Sequence, residues 1–507
     1  MIKKTYNTIL YILPQIIRKD ATEMKVLQNL QPHDVFKYFE ELSQIPRGSG
    51  NEKQVSDYLV NFGKELGLEA IQDEALNVII KKPGTKGYEN SPTVIIQGHM
   101  DMVCEKNKDT EHDFEKDPLK LRIEGDYIYA TGTTLGADNG IAVAYGMAVL
   151  ASKDLAHPPI ELLVTSDEEA GMGGAMALKK EHISGKILLN IDSEEEGFLQ
   201  VSCAGGVRTN VALDIEWEDA NDTLKALDIR VRGLKGGHSG MEINKERGNS
   251  NKLMGRVLNA IADNVEFNLA SLNGGSKNNA IPRECDAVIL VKPSQVDVVK
   301  EIVAHFDGIF KKELEVQDEN VRLEIEDIAL PKKMFSKETT DKAVMLLHLI
   351  PNGVDTMSRV IKDLVQSSTN LGVVTTTENS VEYDSATRSS VATLKEEIVL
   401  RTRNISNLIG ANFSTHADYP AWEYNPNSKL REVCQKVMKA QTGKEAEVIA
   451  MHAGLECGLF SETLGKDIDM ISFGPNMYDV HTPNEHVSIS SVKNVWDFLV
   501  QVLIELK

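Results

Sequence analysis

The chain has 507 residues, 41% of them hydrophobic and 26% charged, as expected of a soluble globular protein too long for one core, so two or three domains are expected. Lys+Arg number 55 and Asp+Glu 76, and the net charge of −21 argues against nucleic acid and anionic membranes as partners. The five cysteines (Cys104, Cys203, Cys285, Cys434, Cys457) lack CxxC spacing, which points to neither a disulfide framework nor a thiolate zinc site and fits a reducing, cytoplasmic setting.

"MIKKTYNTILYILPQII" opens the chain with two lysines and a short apolar run. Pro14 interrupts the run, no small-residue cleavage site follows, and it is too short to span a bilayer. Residues 1–24 therefore read as a loosely attached extension, with Met24 as a possible translation start. Beyond it, "LQPHDVFKYFEELSQIPRGSGNEKQVSDYL" reads as amphipathic helix. "NVIIKKPG" and "PTVIIQGHMD" are β-branched strands, "NGIAVAYGMAVLAS" is a small-residue helix, and "PIELLVTSDEE" is a strand. "GGAMALKKE" reads as a helix and "KILLNIDSEEEG" as a further strand. This alternation predicts an α/β fold with a mixed, mostly parallel sheet and helices on both faces.

Near Ala204-Gly205-Gly206 the texture changes. "VRTNVALDIEWED" and "TLKALDIRVRG" alternate apolar and polar residues, as in antiparallel strands with one wet face. An inserted α+β domain is expected over 206–421, between 25–205 and 422–507, which form the first domain. The return carries the helix "NPNSKLREVCQKVMKAQTG", then "EAEVIAMHAGLECG", the strand "DIDMISFGP" and the last helix, "SSVKNVWDFLVQVLIEL".

Polar clusters fall where the carboxyl edge of the first sheet should be, the edge at which open α/β folds bind ligands. His99 and Asp101 follow "TVIIQG"; Asp138 sits in "TTLGADNG", a Gly-rich loop running into a helix. Glu168 and Glu169 follow "IELLVTSD", Asp192 follows "KILLNI", and His481 and His486 come later in "MYDVHTPNEH". Each alone has an ordinary explanation: a hydrogen-bonded loop histidine, an Asp capping the next helix, or solvated charge such as Glu194-Glu195-Glu196. Together, five carboxylates beside histidines on one edge repel without cations. Mixed His and carboxylate donors suit zinc, manganese or cobalt better than calcium or magnesium.

"GHMDMV", "GADNG", "TSDEEAGMGGA", "NIDSEEEG", "GGHSG" and "HTPNEH", in that order, resemble the M20 metallopeptidases and, within them, the aminoacyl-histidine (Xaa-His) dipeptidases, from about Leu27 to the C-terminus. The resemblance implies a di-zinc peptidase type of catalytic domain with an inserted lid and dimerisation domain. It implies two divalent ions, zinc foremost with manganese or cobalt as substitutes. His99 and Asp192 would hold one ion, Glu169 and His481 the other, and Asp138 would bridge both. Ions about 3.5–4 Å apart can share a carboxylate and a water. Glu168 would be general base to the shared water, giving the hydroxide nucleophile, and then proton donor to the leaving amine. Asp101 would orient the His99 ring.

His238, in "GLKGGHSGM", would polarise the scissile carbonyl, reaching the site from a partner subunit's lid or on lid closure. Asn279 in "NNAIPRE" would contact substrate, and Arg388 in "DSATRSS" would clamp its α-carboxylate. Gly454 in "MHAGLECG" would help hold that carboxylate through its backbone, and His452 reads as structural. Asn244 departs from the resemblance, which leads one to expect a His there. The implied reaction is hydrolysis of unblocked dipeptides, Xaa-His and β-Ala-His included, by a cytoplasmic homodimer joined through the lid. The long lid favours this branch over the alternative, an M20 aminoacylase acting on N-acyl amino acids with the same chemistry. A non-catalytic binding protein is disfavoured, because every expected ligand and the base are present.

Overall fold

A computed structural model describes residues 25–507; the extension and the Met24 start lie outside the described residues. Eight strands form the first sheet in the order Glu69–Gln72, Val78–Lys82, Ile160–Thr165, Val94–His99, Ile187–Asn190, Asp469–Ser472, Phe198–Cys203, Glu447–Met451. Ile160–Thr165, Val94–His99, Ile187–Asn190 and Asp469–Ser472 run parallel at its centre, with antiparallel pairings at the flank and beside Phe198–Cys203. The central strands are β-branched and buried throughout because helices cover both faces. Val94 and Ile96 pack into one core with the helices His33–Leu42, Ala137–Ala151 and Ile489–Glu505, while Ile95 points into a second core with Leu459 and Phe460.

Two expectations are corrected. The first amphipathic segment is two helices, His33–Leu42 and Lys53–Glu65, because Pro46 and Gly50 (φ 83°) fall in the intervening segment, where the chain turns. "GGAMALKKE" yields only the five-residue helix Gly173–Ala177, followed by a 3₁₀ turn at Lys180–His182.

The insert is an antiparallel sheet of nine strands. It consists of two units of identical topology. One runs Lys225–Arg232, helix Ser250–Ala262, Phe267–Gly274, Cys285–Val291, helix Val296–Glu313, Arg322–Ile328. The other runs Gly205–Asp214, helix Lys337–Leu349, Val365–Thr376, Ser380–Ser389, helix Ala392–Ile409, Asn412–Tyr419, with Gly353–Met357 as an added strand. In each βαββαβ unit the first strand lies between the third and the fourth, and the units join where Gly274 pairs with Val374. The first unit is inserted inside the second, and a single apolar core runs beneath both.

The two crossings between sheet and insert lie side by side. Cys203 N–H donates to Trp422 O at 3.0 Å and Trp422 N–H to Cys203 O at 3.2 Å. A Cβ at Gly205 would stand 2.6 Å from Ala421 N, so only glycine permits this approach.

Candidate metal centre

The parallel central strands bring their carboxyl ends to one edge, which fixes where the polar clusters meet. His99 is the last residue of its strand and is buried. Gly98 before it leaves the space that Asn139 and Ala142 occupy. Asn139 Oδ1 accepts from His99 N–H at 3.3 Å, and its Nδ2 donates to Ile191 O at 2.7 Å. One amide thus ties the His99 strand end to the residue before Asp192. Asp138, immediately before Asn139, leaves the helical path at φ −78°, ψ 104°.

The loop carrying Asp138 is held by Glu485. Its buried carboxylate accepts four backbone N–H groups, from Leu135, Gly136, Ala137 and Asp138, at 2.7, 2.9, 2.8 and 3.3 Å. Buried Arg47 donates to the carbonyls of Met100 (2.9 Å), Asp101 (3.2 Å) and Gly136, joining the same loop to the His99 turn. The charges of Glu485 and Asp101 oppose the lowering of the Arg47 pKa that burial causes.

The imidazoles and carboxylates converge. His99 Nε2 is 3.2 Å from Asp138 Oδ1 and 3.4 Å from Asp192 Oδ1. His481, held at φ 64°, places Nε2 3.2 Å from Asp138 Oδ2 and 3.1 Å from Glu169 Oε1. Asp138 therefore faces one histidine with each oxygen. Asp101 stands behind His99, with Oδ1 3.3 Å from Nδ1. The Asp101 carboxylate also accepts from Ser49 Oγ (2.8 Å) and from the backbone N–H groups of Glu168 (3.0 Å) and Glu169 (3.2 Å). Burial would raise the Asp101 pKa, but these partners hold it down at about 2.

Crowding sets the remaining proton affinities. Burial, reinforced by Asp192, Glu456 and Glu169, pushes the Glu168 carboxyl up to about 9. Burial and neighbouring carboxylates push Asp192 up to about 6. Hydrogen bonds donated by His481 to the carboxylates of Asp138 and Glu169 lift its pKa to about 11. Burial opposes protonation of His99, yet Asp192, Asp101 and Asp138 keep its pKa well above the ordinary value. Glu194 is exposed, as expected of surface charge, yet the protein packed around it, with Asp138 and Asp192, pushes its carboxyl up to about 7.

This donor set fits metal ions. His99, Asp138 and Asp192 offer ligand atoms within 4.8 Å of one another; Asp138, Glu169 and His481 do the same; and His99, Glu168 and Glu169 form a third such set. Carboxylates this close retain protons unless cations replace them. Nitrogen and oxygen donors with one histidine per set suit zinc, cobalt or manganese.

Other expected residues lie elsewhere. His486 stacks on Tyr129 and Tyr478 and bonds Asn484 O, outside these sets. His238 lies in the insert, where its Nδ1 accepts from Met241 N–H at 3.0 Å and Arg388 is the strongest charge acting on it. Arg388 donates to the Tyr419 hydroxyl at 2.9 Å, and Gly454 packs against the ring of that tyrosine. Asn279 is exposed beside the His238 loop, its carbonyl accepting from Ser239 N–H at 2.9 Å. His452 bonds Ser368 Oγ at 2.7 Å, linking sheet domain to insert as a structural residue does. Asn244 is exposed on the turn Ile243–Lys245.

Residues 95–505 match peptidase family M20/M25/M40. The chain belongs to that family. It is 39% identical over 483 residues, 95% of this chain and 99% of the relative, to the cytosol non-specific dipeptidase of Escherichia coli (strain K12). The crystal structure of the aminoacylhistidine dipeptidase from Vibrio alginolyticus superposes with a TM-score of 0.91 at 37% identity, covering 94% of this chain and 98% of that one. The aminopeptidase PepT from Bacillus cereus shares the fold, with a TM-score of 0.55 at 16% identity over 94% of this chain and 99% of that one.

Three residues of this M20 peptidase escaped sequence reasoning: Arg47, Asn139 and Glu485. Each acts through the backbone of a distant segment. Glu485 lies inside "HTPNEH" and Asn139 inside "GADNG", so motif membership was the only signal available for them. Buried Glu456 was also missed. It accepts from Gln97 Nε2 at 2.6 Å and Thr165 Oγ1 at 2.9 Å beneath the centre, and burial pushes its carboxyl up to about 7.

Proposed function

We propose that this M20 peptidase hydrolyses the peptide bond of unblocked dipeptides, Xaa-His and β-Ala-His among them, with two divalent ions, zinc foremost and manganese or cobalt as substitutes. One observation carries the reading: Asp138 stands between two donor sets, each with a histidine, beside the proton-holding Glu168. The E. coli dipeptidase, alike over 95% of this chain, supports it.

His99 and Asp192 would hold one ion, Glu169 and His481 the other, and Asp138 both. Such ions, when bound, supply Lewis acidity and make a water acidic near neutral pH. Glu168 takes the proton of the attacking water at a carboxylate oxygen and returns it to the leaving amine. Its burial gives the proton affinity the return step needs, and neighbouring cations draw that affinity down toward neutrality. Asp101 holds His99 through Nδ1, leaving Nε2 toward Asp138 and Asp192. His238 donates to the carbonyl oxygen once the lid moves, from its own chain or a partner's. Arg388 receives the terminal carboxylate, with Asn279 and the Gly454 backbone beside it.

We assign 25–205 and 422–507 to the catalytic domain and 206–421 to the lid. We further propose a homodimer joined through the lid, supported by the exposed edge strand Asn412–Tyr419, and a cytoplasmic location, supported by five free cysteines. Among the described residues no helix is long and apolar enough to cross a membrane.

Hydrolysis by metal-loaded protein of Ala-His, β-Ala-His, Gly-Leu, a tripeptide and an N-acetyl amino acid, with and without chelator, tests the reading. Chelator-sensitive cleavage of the dipeptides is expected. Cleavage of the N-acetyl compound alone would replace this reading with an aminoacylase.

A further inference from the structure

Arg208 lies on the strand Gly205–Asp214, opposite Ala386 and His416. Arg388 lies two residues beyond Ala386, opposite Gly206. The two side chains are therefore diagonal neighbours on one face of the lid sheet. The surrounding groups are also basic. A Cβ at Gly240 would stand 3.1 Å from Arg388 Nε, 3.1 Å from His238 Cε1 and 2.5 Å from His452 O, so the His238 loop and His452 close around Arg388. Burial lowers the pKa of His238, His452 and Arg208, and the charge of Arg388 lowers each further.

Among the described residues neither Arg208 nor Arg388 has a carboxylate partner, and the nearby carboxylate of Glu242 acts on His238 instead. Arg388 is buried, and its side-chain partner among the described residues is a neutral one, the Tyr419 hydroxyl. Arg388 Nε, Arg208 Nη1, His452 Nδ1 and Ser239 Oγ are buried without a hydrogen-bond partner among the described residues. Buried charge is tolerated when paired, and buried donors when satisfied. Two guanidinium groups with free donors on one face form an incomplete anion receptor, of the planar, forked kind that matches a carboxylate.

We infer that Arg208 is a second specificity-determining contact for the substrate, so that the terminal carboxylate is received between Arg208 and Arg388. This rests on the dipeptidase reading, in which Arg388 was the one guanidinium assigned to that carboxylate. A second guanidinium makes the free carboxylate obligatory: a C-terminal amide would leave buried Arg388 and half-buried Arg208 without a counter-charge. Arg208 thereby selects for substrates that end one residue after the scissile bond.

The test compares hydrolysis of Ala-Leu with that of Ala-Leu amide by the metal-loaded full chain, as wild type, Arg208→Gln, Arg208→Lys and Arg388→Gln. Wild type is expected to prefer the free acid. Arg208→Gln should raise KM for the acid, lower the acid-to-amide ratio of kcat/KM by about 10–100-fold, and leave the amide rate nearly unchanged. Arg208→Lys, which keeps the charge but not the fork, should lower the ratio by less and serves if the Gln variant fails to fold. The inference is overturned if Arg388→Gln abolishes the preference while both Arg208 variants keep it, or if acid and amide rates fall together. A wild type that cleaves neither compound, or does not distinguish them, overturns the dipeptidase reading and the inference with it.

Discussion

The carboxyl edge of the first sheet and the Arg208–Arg388 face of the insert are electrostatic opposites. At the sheet edge, Asp138, Glu168, Glu169 and Asp192 crowd around two imidazoles, and Glu168 and Asp192 hold protons at unusually high pH. In the insert, Arg208, Arg388 and His238 stand together against His452 of the sheet domain, and burial and the charge of Arg388 lower the pKa of both histidines. Both regions have unbalanced charge, but they are supported differently. The carboxylate centre is fixed from behind by Asp101, Asn139, Arg47 and Glu485, whereas the basic cluster keeps free donors. A rigid, over-supported site suits ions whose geometry must be exact to a fraction of an ångström. A site with open donors suits a substrate group that comes and goes.

Removing the proton carrier should separate chemistry from metal binding. Glu168→Gln is expected to lower kcat by about 10²–10⁴-fold while the protein retains its metals. Metal analysis alongside steady-state kinetics checks this, and a variant with near-normal turnover would remove Glu168 from the mechanism. The support behind the ligands should matter less. Glu485→Gln, which weakens the backbone cradle under Asp138, is expected to cost about 10–100-fold in metal affinity. Competition with a chromophoric chelator measures it, and unchanged affinity would show that the loop holds Asp138 without Glu485.

The smallest effect is a pH dependence whose sign follows from the raised proton affinities. Metals bind deprotonated ligands, so binding must displace the proton that His481 holds up to about 11 and, below about 6, the proton on Asp192 as well. Metal affinity therefore rises with pH, and more protons are released at pH 5.5 than at pH 7. Titration calorimetry in buffers of different ionisation enthalpy reads the release. Heats independent of buffer would mean that these ligands are already free of protons.

Much of the first sheet was legible because its strands are β-branched runs ending in charged residues, and a parallel sheet gathers those ends on one edge. His99, Glu169 and Asp192 fall together for that reason, while Asp138 joins them from the head of a helix and His481 from a loop. The residues behind them were not legible. Arg47 reaches three carbonyls far along the chain and Glu485 four amides, and no periodicity records a contact made to backbone. Spacing alone does not separate His481 from His486 in "MYDVHTPNEH"; the resemblance named His481, and the turn at His481 sets its Nε2 toward Asp138 and Glu169 while the aromatic stack with Tyr129 holds His486 away. The insert was readable as antiparallel and α+β. Its two nested βαββαβ units were not, since strand order depends on pairings such as Gly274 with Val374 that no local pattern reports. Arg208 was overlooked because in sequence it is one more polar residue on an alternating strand.

The central claim is that Asp138 serves two ions at once. Metal content per chain, measured by mass spectrometry after saturation with zinc and desalting, tests it in the wild type and in Asp138→Ala. Two ions per chain in the wild type and the loss of both in the variant are predicted, because the set with His99 and Asp192 and the set with Glu169 and His481 share that carboxylate. A variant that keeps both ions, or a wild type that holds only one, would contradict the account.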